Sequence, residues 1–280
     1  MELKNVLAIV ICILICLLMS VTVMSAGPQN VQSVEVDHGE LNHPAEEVYR
    51  RFGVGEKIRL RVTYMGLTAG YINIKTDSTQ IKGRPVYQLK MTARTQGMVE
   101  WFYTVKDTLV SYMDVRGLFS WGYDYHKNHN KEKAVEEVRY SPKEGFVLRG
   151  GKKDGEIVPY TQDVLSAVFY LRTRNLKVGD VHSFPVHVDD DNYQLELTVE
   201  AVEKVPTSDE GWVDAFRIVP RLQDTEEQKK LEEKIKDNSS GIRIWISKDS
   251  RRIPLQVAIP ARVASLYGYL DSYTPGEKVK

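Results

Sequence analysis

The chain has 280 residues, 38 of them basic and 38 acidic, so its formal net charge is zero. That balance excludes a polyanion-coating protein, because nucleic-acid binders carry a basic excess. Apolar residues at 42% and charged residues at 27% exclude wholesale disorder and allow a sizeable core in one or two domains.

The N-terminus reads as a membrane address. Lys4 precedes an apolar run from Val6 to Met24, interrupted by Ser20 and Thr22. That is the layout of a secretory signal. The run is also close to the ~20 residues that span a bilayer. Residues 1–26 are therefore either a signal peptide cut after Ala26 or a retained anchor, and both readings export everything after residue 27. Cys12 and Cys16 both lie inside the run, so the exported part has no thiol for a disulfide, a thiolate metal site or a nucleophile. Ile13-Leu14-Ile15 lacks the small residues that lipidation of Cys16 requires. No second apolar stretch approaches spanning length, so the remainder reads as soluble, with membrane contact only through the N-terminal segment. Residues 27–49 are polar and aperiodic, as in a tether.

Period-2 alternation then begins and predicts strands. Ile58, Leu60, Val62 and Tyr64 share one face, and Ile72 and Ile74 continue after a turn flanked by Gly66 and Gly70. Tyr87, Leu89, Met91 and Ala93 form a third strand, and Trp101, Tyr103 and Val105 a fourth. Phe119, Trp121, Tyr123 and Tyr125 alternate with small or polar residues and form a fifth. Thr161 can cap a helix, with Asp163 in its first turn and Val164, Leu165, Val168, Phe169 and Leu171 as its apolar stripe. Residues 181–188 and 193–201 flank Asp189-Asp190-Asp191-Asn192 as a hairpin. Residues 225–237 read as a solvated helical insertion. Ile242, Ile244 and Ile246, residues 251–259 and residues 262–273 supply the last strands. The expected fold is mainly all-β. One curled antiparallel sheet or barrel-like domain occupies residues 50–275, with one short amphipathic helix packed on it and a charged insertion at about 224–239.

Several segments resemble one family. Val54-Gly55-Glu56-Lys57 and Tyr64-Met65-Gly66-Leu67-Thr68-Ala69-Gly70 resemble the opening of the exported bacterial proteins grouped as domain of unknown function (DUF) 3108. Gln162-Asp163-Val164-Leu165-Ser166-Ala167 and Tyr170-Leu171-Arg172 resemble that family's central helix, and Lys177-Val178-Gly179-Asp180 the turn after it. Gly211-Trp212-Val213-Asp214-Ala215-Phe216 is similar to a later strand. Trp245-Ile246-Ser247-Lys248-Asp249 with Arg251-Arg252-Ile253-Pro254 is similar to the last hairpin. The resemblance spans roughly residues 50–272 and implies an envelope location. A looser likeness, a Trp-bearing strand followed by Arg-x-x-Pro, is similar to the final hairpins of envelope lipoprotein carriers. Those are half-barrels with a helix plugging an apolar mouth.

Candidate binding residues are mostly aromatic. Phe119, Trp121, Tyr123 and Tyr125 alternate, so all four are expected on one face of one strand, with Trp101 and Tyr103 alongside on a neighbouring strand. Such faces suit sugar rings or acyl chains, but aromatics are also the usual stock of a barrel core, which is the stronger expectation, and that core can itself be the ligand cavity. Arg172 offers a planar fork to an anionic head group. His126 and His129 read as a solvated turn, since a zinc site needs further ligands. Asp189-Asp190-Asp191-Asn192 lacks the spacing and glycine of a calcium loop. Ser166 lacks a nucleophile elbow, and no glycine loop suits a phosphate. Nothing points to a catalytic residue, a metal or a cofactor. The leading expectation is a non-catalytic binder or carrier of an amphiphilic envelope ligand, lipid or glycan. The alternatives are an envelope hydrolase, or a scaffold docking envelope protein partners through sheet edges.

Overall fold

A computed structural model describes residues 51–130, 132–188, 191–222, 241–260 and 264–277. The membrane address, the tether, the charged insertion and Asp189-Asp190 lie outside the described residues. The strands are β1 (Lys57–Tyr64), β2 (Leu67–Ile81), β3 (Arg84–Thr95), β4 (Lys106–Asp114), β5 (Ser120–His129), β6 (Glu132–Ser141), β7 (Phe146–Arg149) and β8 (Lys152–Glu156), followed by β9 (Val181–Val188), β10 (Asp191–Thr207), β11 (Gly211–Leu222), β12 (Arg243–Ser247), β13 (Pro254–Ile259) and β14 (Leu266–Thr274). The helices are α1 (Met98–Phe102) and α2 (Val164–Arg172).

All fourteen strands join one antiparallel sheet in the order β8-β7-β6-β5-β4-β3-β2-β1-β14-β13-β12-β11-β10-β9. Neighbours in sequence pair antiparallel except β8 and β9, and β1 also pairs with β14. Alternation drives this: Ile58, Leu60 and Val62 are buried while Lys57 and Arg59 are exposed. The β1–β2 turn is the two-residue pair Met65 (φ 49°) and Gly66 (φ 80°), the left-handed geometry of a type I′ hairpin.

The sheet curls strongly, as twist accumulated over many strands requires. Thr161 accepts from the Ser120 N–H at the start of β5, and the adjacent Gln162 bridges Val186 on β9. The Tyr140 ring of β6 lies edge-on to His187 of β9, 5.4 Å between centroids. Strands far apart in the sheet order thus meet across the inside, while the edge strands β8 and β9 do not pair with each other and the barrel does not close.

Helix α2 fills the inside. Leu165 and Phe169 join the core of β1–β7, and Ala167 and Leu171 join the core of β9–β12. Its cap is Asp163 and not Thr161. The Asp163 carboxylate accepts from the Leu165 and Ser166 N–H groups at 2.9 and 3.0 Å, and the Ser166 hydroxyl accepts from the Asp163 N–H.

Two expected strands differ. Trp101 and Tyr103 do not sit on a strand: Gly97 (φ 67°) turns the chain after β3, and Met98–Phe102 winds into α1. Its apolar residues, 98, 99, 101 and 102, do not alternate, so no strand face is available to them. The aromatic stripe of β5 is also split. Ser111 pairs with Tyr123 and Met113 with Ser120, so Trp121 and Gly122 together oppose one residue, Tyr112. This bulge reverses the alternation. Gly122 (φ 110°) makes it possible, because a Cβ there would lie 2.2 Å from the Val138 carbonyl oxygen.

Candidate ligand-binding surfaces

The seven residues expected to bind ligand are dispersed. Tyr123 and Tyr125 point inward and belong to the main core. Phe119 and Trp121 face outward and pack with Val86 in a small cluster covered by Ile81, Tyr112 and Tyr160. The Trp121 Nε1–H donates to Asp114 at 3.1 Å, and Arg84 pairs with the same carboxylate at 2.7 Å. Burial raises the Asp114 pKa, but these donors and the Gly117 N–H outweigh it and hold it below the ordinary carboxylate value. Tyr103 is buried beneath α1, whereas Trp101 on α1 is 84% exposed.

Arg172 cannot serve as a head-group fork, because its fork is occupied. The side chain is 0% exposed and meets Glu56 through both terminal nitrogens, at 2.8 and 2.7 Å. Its Nε donates to the Arg252 carbonyl at 2.9 Å, and its guanidinium lies 5.2 Å from the Phe52 ring centroid. The Tyr273 hydroxyl donates to Glu56 at 3.0 Å. Burial, then the Glu56 carboxylate, pushes the Tyr273 phenol up to about 12. The group bolts α2 to the entry of β1 and the β12–β13 turn.

Asp163 anchors the other end of α2. Beyond its capping bonds it accepts from the Ser111 and Ser120 hydroxyls at 2.6 and 2.5 Å. Burial raises its pKa, and these hydrogen bonds only partly offset that. Ser166 is fully buried in this network, so its role is capping.

His129 is not in a solvated turn. It is buried at the end of β5, with Nε2 2.6 Å from Asp107. The Tyr125 hydroxyl and the Asn128 N–H, each 2.8 Å away, hold the same carboxylate. The arrangement ties β5 to β4 beneath α1. His126 is exposed on the opposite face of β5.

Among the described residues, two groups of apolar side chains stand out. The first is an inner shelf. On β10, Leu197 and Val199 pack with α2, and Tyr193 and Leu195 continue the same face. Leu195 pairs with Leu222 of β11, and Ile244 of β12 pairs with Ile218. Val188, Tyr193, Leu195, Leu222 and Ile244 are half-buried, a run of large apolar side chains that the core does not fully cover.

The second is a lip at the end of β1–β4 remote from α2. Met65 and Leu67 at the β1–β2 turn and Met98, Trp101 and Phe102 of α1 are all exposed. The two parts adjoin, since α1 packs on β2 and the Gln96 N–H donates to the Ala69 carbonyl at 3.0 Å. Val99 packs inward on the core. Sequence reasoning singled out Trp101 alone of these five. Two signals were available. Hairpin turns of this type favour Asn-Gly, so Met at the first turn position, strained at positive φ and exposed at the tip, stands out. The run Met98-Val99-Glu100-Trp101-Phe102 fits no strand period.

The geometry defines a curled, barrel-like β protein, plugged from inside by a helix, with half-buried apolar side chains on an inner shelf and exposed ones on an outer lip. A family profile described as "Protein of unknown function (DUF3108)" matches residues 59–271, and the chain belongs to that family. No curated protein matches it. Among solved structures, it is similar to a β-barrel-like protein of domain of unknown function DUF1849 from Brucella abortus. That likeness has a TM-score of 0.53 and 11% identity, and covers 81% of this chain and 99% of the other. At such identity it bears on the fold alone. A "putative lipoprotein" from Parabacteroides distasonis aligns at a TM-score of 0.33 and 9% identity, over 82% of this chain and 100% of the other. Among the described residues, no helix is long and apolar enough to cross a membrane.

Proposed function

We propose that this protein is exported to the bacterial cell envelope and there binds or carries an amphiphilic ligand without catalysis. The observation that carries the reading is the inner shelf of Val188, Tyr193, Leu195, Leu222 and Ile244, half-buried beside the α2 plug. Incompletely covered apolar surface on an inward face suits a partner that brings its own apolar surface. The shelf is aliphatic apart from Tyr193. That favours an acyl chain over a sugar ring, which stacks best on flat aromatic faces. The apolar run from Val6 to Met24 supports export and proximity to membrane lipid.

Native mass spectrometry of the full chain, purified from membranes in mild detergent, tests this when followed by extraction of whatever is bound. The reading expects a stoichiometric lipid in the wild type. It also expects loss of that lipid in Leu195→Glu, with circular dichroism and melting temperature close to wild type. An empty wild-type protein, or equal occupancy in a folded Leu195→Glu, would sink it.

A further inference from the structure

We propose that the lip is a membrane-docking surface: Met65, Leu67, Met98, Trp101 and Phe102 enter the interface of an anionic lipid bilayer. It would be a second membrane contact, separate from the N-terminal segment and from the inner shelf.

Shape and charge carry the inference. The five side chains sit on two projections, a two-residue hairpin turn and a short helix, and not in a groove. Projecting apolar tips suit a deformable apolar phase. A protein partner would have to supply a matching groove. The strand register then places a belt directly below the tips on the outer face. Tyr269 pairs with Arg61, Arg61 with Tyr71, Tyr71 with Arg94, and Arg94 with Lys106. Successive partners across a sheet share a face, so tyrosines and cations line up in one transverse row on β14, β1, β2, β3 and β4. The Arg61 guanidinium lies 6.0 Å from the Tyr269 ring centroid, and that of Arg59 lies 4.0 Å from Tyr71. Tyrosine and basic residues at head-group level above inserted Trp, Phe, Met and Leu are the composition of an interfacial anchor. Acidic groups near the row are Asp271, 3.1 Å from Arg59, Glu100, 3.4 Å from Lys106, and Glu132, 3.0 Å from Lys127, so Arg61 and Arg94 carry the positive charge of the belt.

Depth agrees. From Leu67 to Tyr71 the strand rises about 13 Å, which sets the belt just outside the roughly 5–10 Å that interfacial elements bury. The chain outside the described residues also permits it. Residue 51 enters near β1's start, at the end opposite the lip, with Phe52 packed on Phe169. The polar stretch 27–49 can extend to about 80 Å. A domain anchored through residues 6–24 therefore has enough chain to turn its lip to the same bilayer.

The test uses the full chain in vesicles of phosphatidylcholine, with or without phosphatidylglycerol, carrying bromine on the acyl chains. A Trp212→Phe background leaves Trp101 as the exposed tryptophan among the described residues, since Trp121 and Trp245 are buried. Brominated lipid should quench the component of emission that Trp101→Phe removes. That component should shift to shorter wavelength in vesicles relative to detergent micelles. Met98→Asp with Phe102→Asp keeps the fluorophore and should abolish the quenching. Arg94→Glu should reduce it in phosphatidylglycerol vesicles and leave it unchanged in pure phosphatidylcholine. Quenching that is indifferent to Trp101, or a chain that dimerises with Trp101 shielded and unquenched, overturns the proposal. Leu195→Glu is expected to dock normally, so failure of the ligand reading and failure of the docking reading give different results.

Discussion

At one end of β1–β5, charged and hydroxyl side chains are held out of water; at the other, large apolar side chains are held in it. Glu56, Arg172, Asp163, Ser111 and Ser120 are buried around α2, each with hydrogen-bond partners. Met65, Leu67, Met98, Trp101 and Phe102 are exposed around α1. Both arrangements run against ordinary burial preferences, but in different senses. A buried ion pair can fix where a helix sits while adding little net stability. Exposed apolar tips fix nothing within the molecule and answer to something outside it. One end is about uniqueness of the fold, the other about contact with surroundings.

Substitutions can break this contrast. The largest effect is expected at the bolt. Glu56→Ala strands a fully buried guanidinium and should cost about 3–5 kcal/mol in urea unfolding. Glu56→Leu combined with Arg172→Met should recover most of that, because neither charge is then left alone. Gly122→Ala comes next. It places a Cβ against the Val138 carbonyl at positive φ, and a loss of about 2 kcal/mol or more is expected. Relaxed alternation, with Trp121 losing its outward position, should appear as a changed near-ultraviolet circular dichroism spectrum.

A smaller effect, with a definite sign, concerns the two buried aspartates. Asp163 has a raised native pKa, so the folded state holds its proton more tightly than the unfolded state. Its contribution to stability therefore falls as pH rises from the ordinary value of 3.8 through the raised native one. Asp114 has a lowered pKa, so its contribution is present above 3.8 and is lost as pH falls toward the native value. Stability curves of Asp163→Asn and Asp114→Asn against pH should differ from wild type in opposite directions. Asp163→Asn, which keeps a capping side chain, should cost about 1–2 kcal/mol at neutral pH. The smallest effect is expected at the lip. Trp101→Ser should change stability by less than about 0.5 kcal/mol, since an exposed side chain away from such features rarely matters. A loss comparable to that of Glu56→Ala would mean that the lip is part of the core and would erase the contrast.

Much of the fold was legible. Period-2 patterns located most of the strands, because each has one buried face, and the apolar stripe at 164–171 located α2. The turn expected between Gly66 and Gly70 lies instead at Met65-Gly66, with Gly70 already inside β2, whereas the family resemblance carried by Val54 to Gly70 and Gln162 to Arg172 held. The site was much less legible, for two physical reasons. A bulge adds one residue and inverts every side chain beyond it, and the sequence around Gly122 does not announce its φ. Burial of Arg172 depends on Glu56 and the Arg252 carbonyl, which are distant in sequence, so its type alone pointed to solvent or a ligand. His129 was misread for a similar reason, because its partner Asp107 belongs to the preceding strand.

The pairing of β1 with β14 has a kinetic side. Tyr273 and Glu56 touch although 217 positions separate them in sequence. At roughly 5–20 residues per second of synthesis, β1 waits about 10–40 s for its second neighbour. Until then its flank is an unpaired edge, open to pairing with another chain. Arg59 and Arg61 lie on its outward face, where like charges would discourage such pairing between nascent copies. The strand that ends up at the centre of the sheet is thus built to survive a period as its border, and folding should be slow because its closing contacts are long-range.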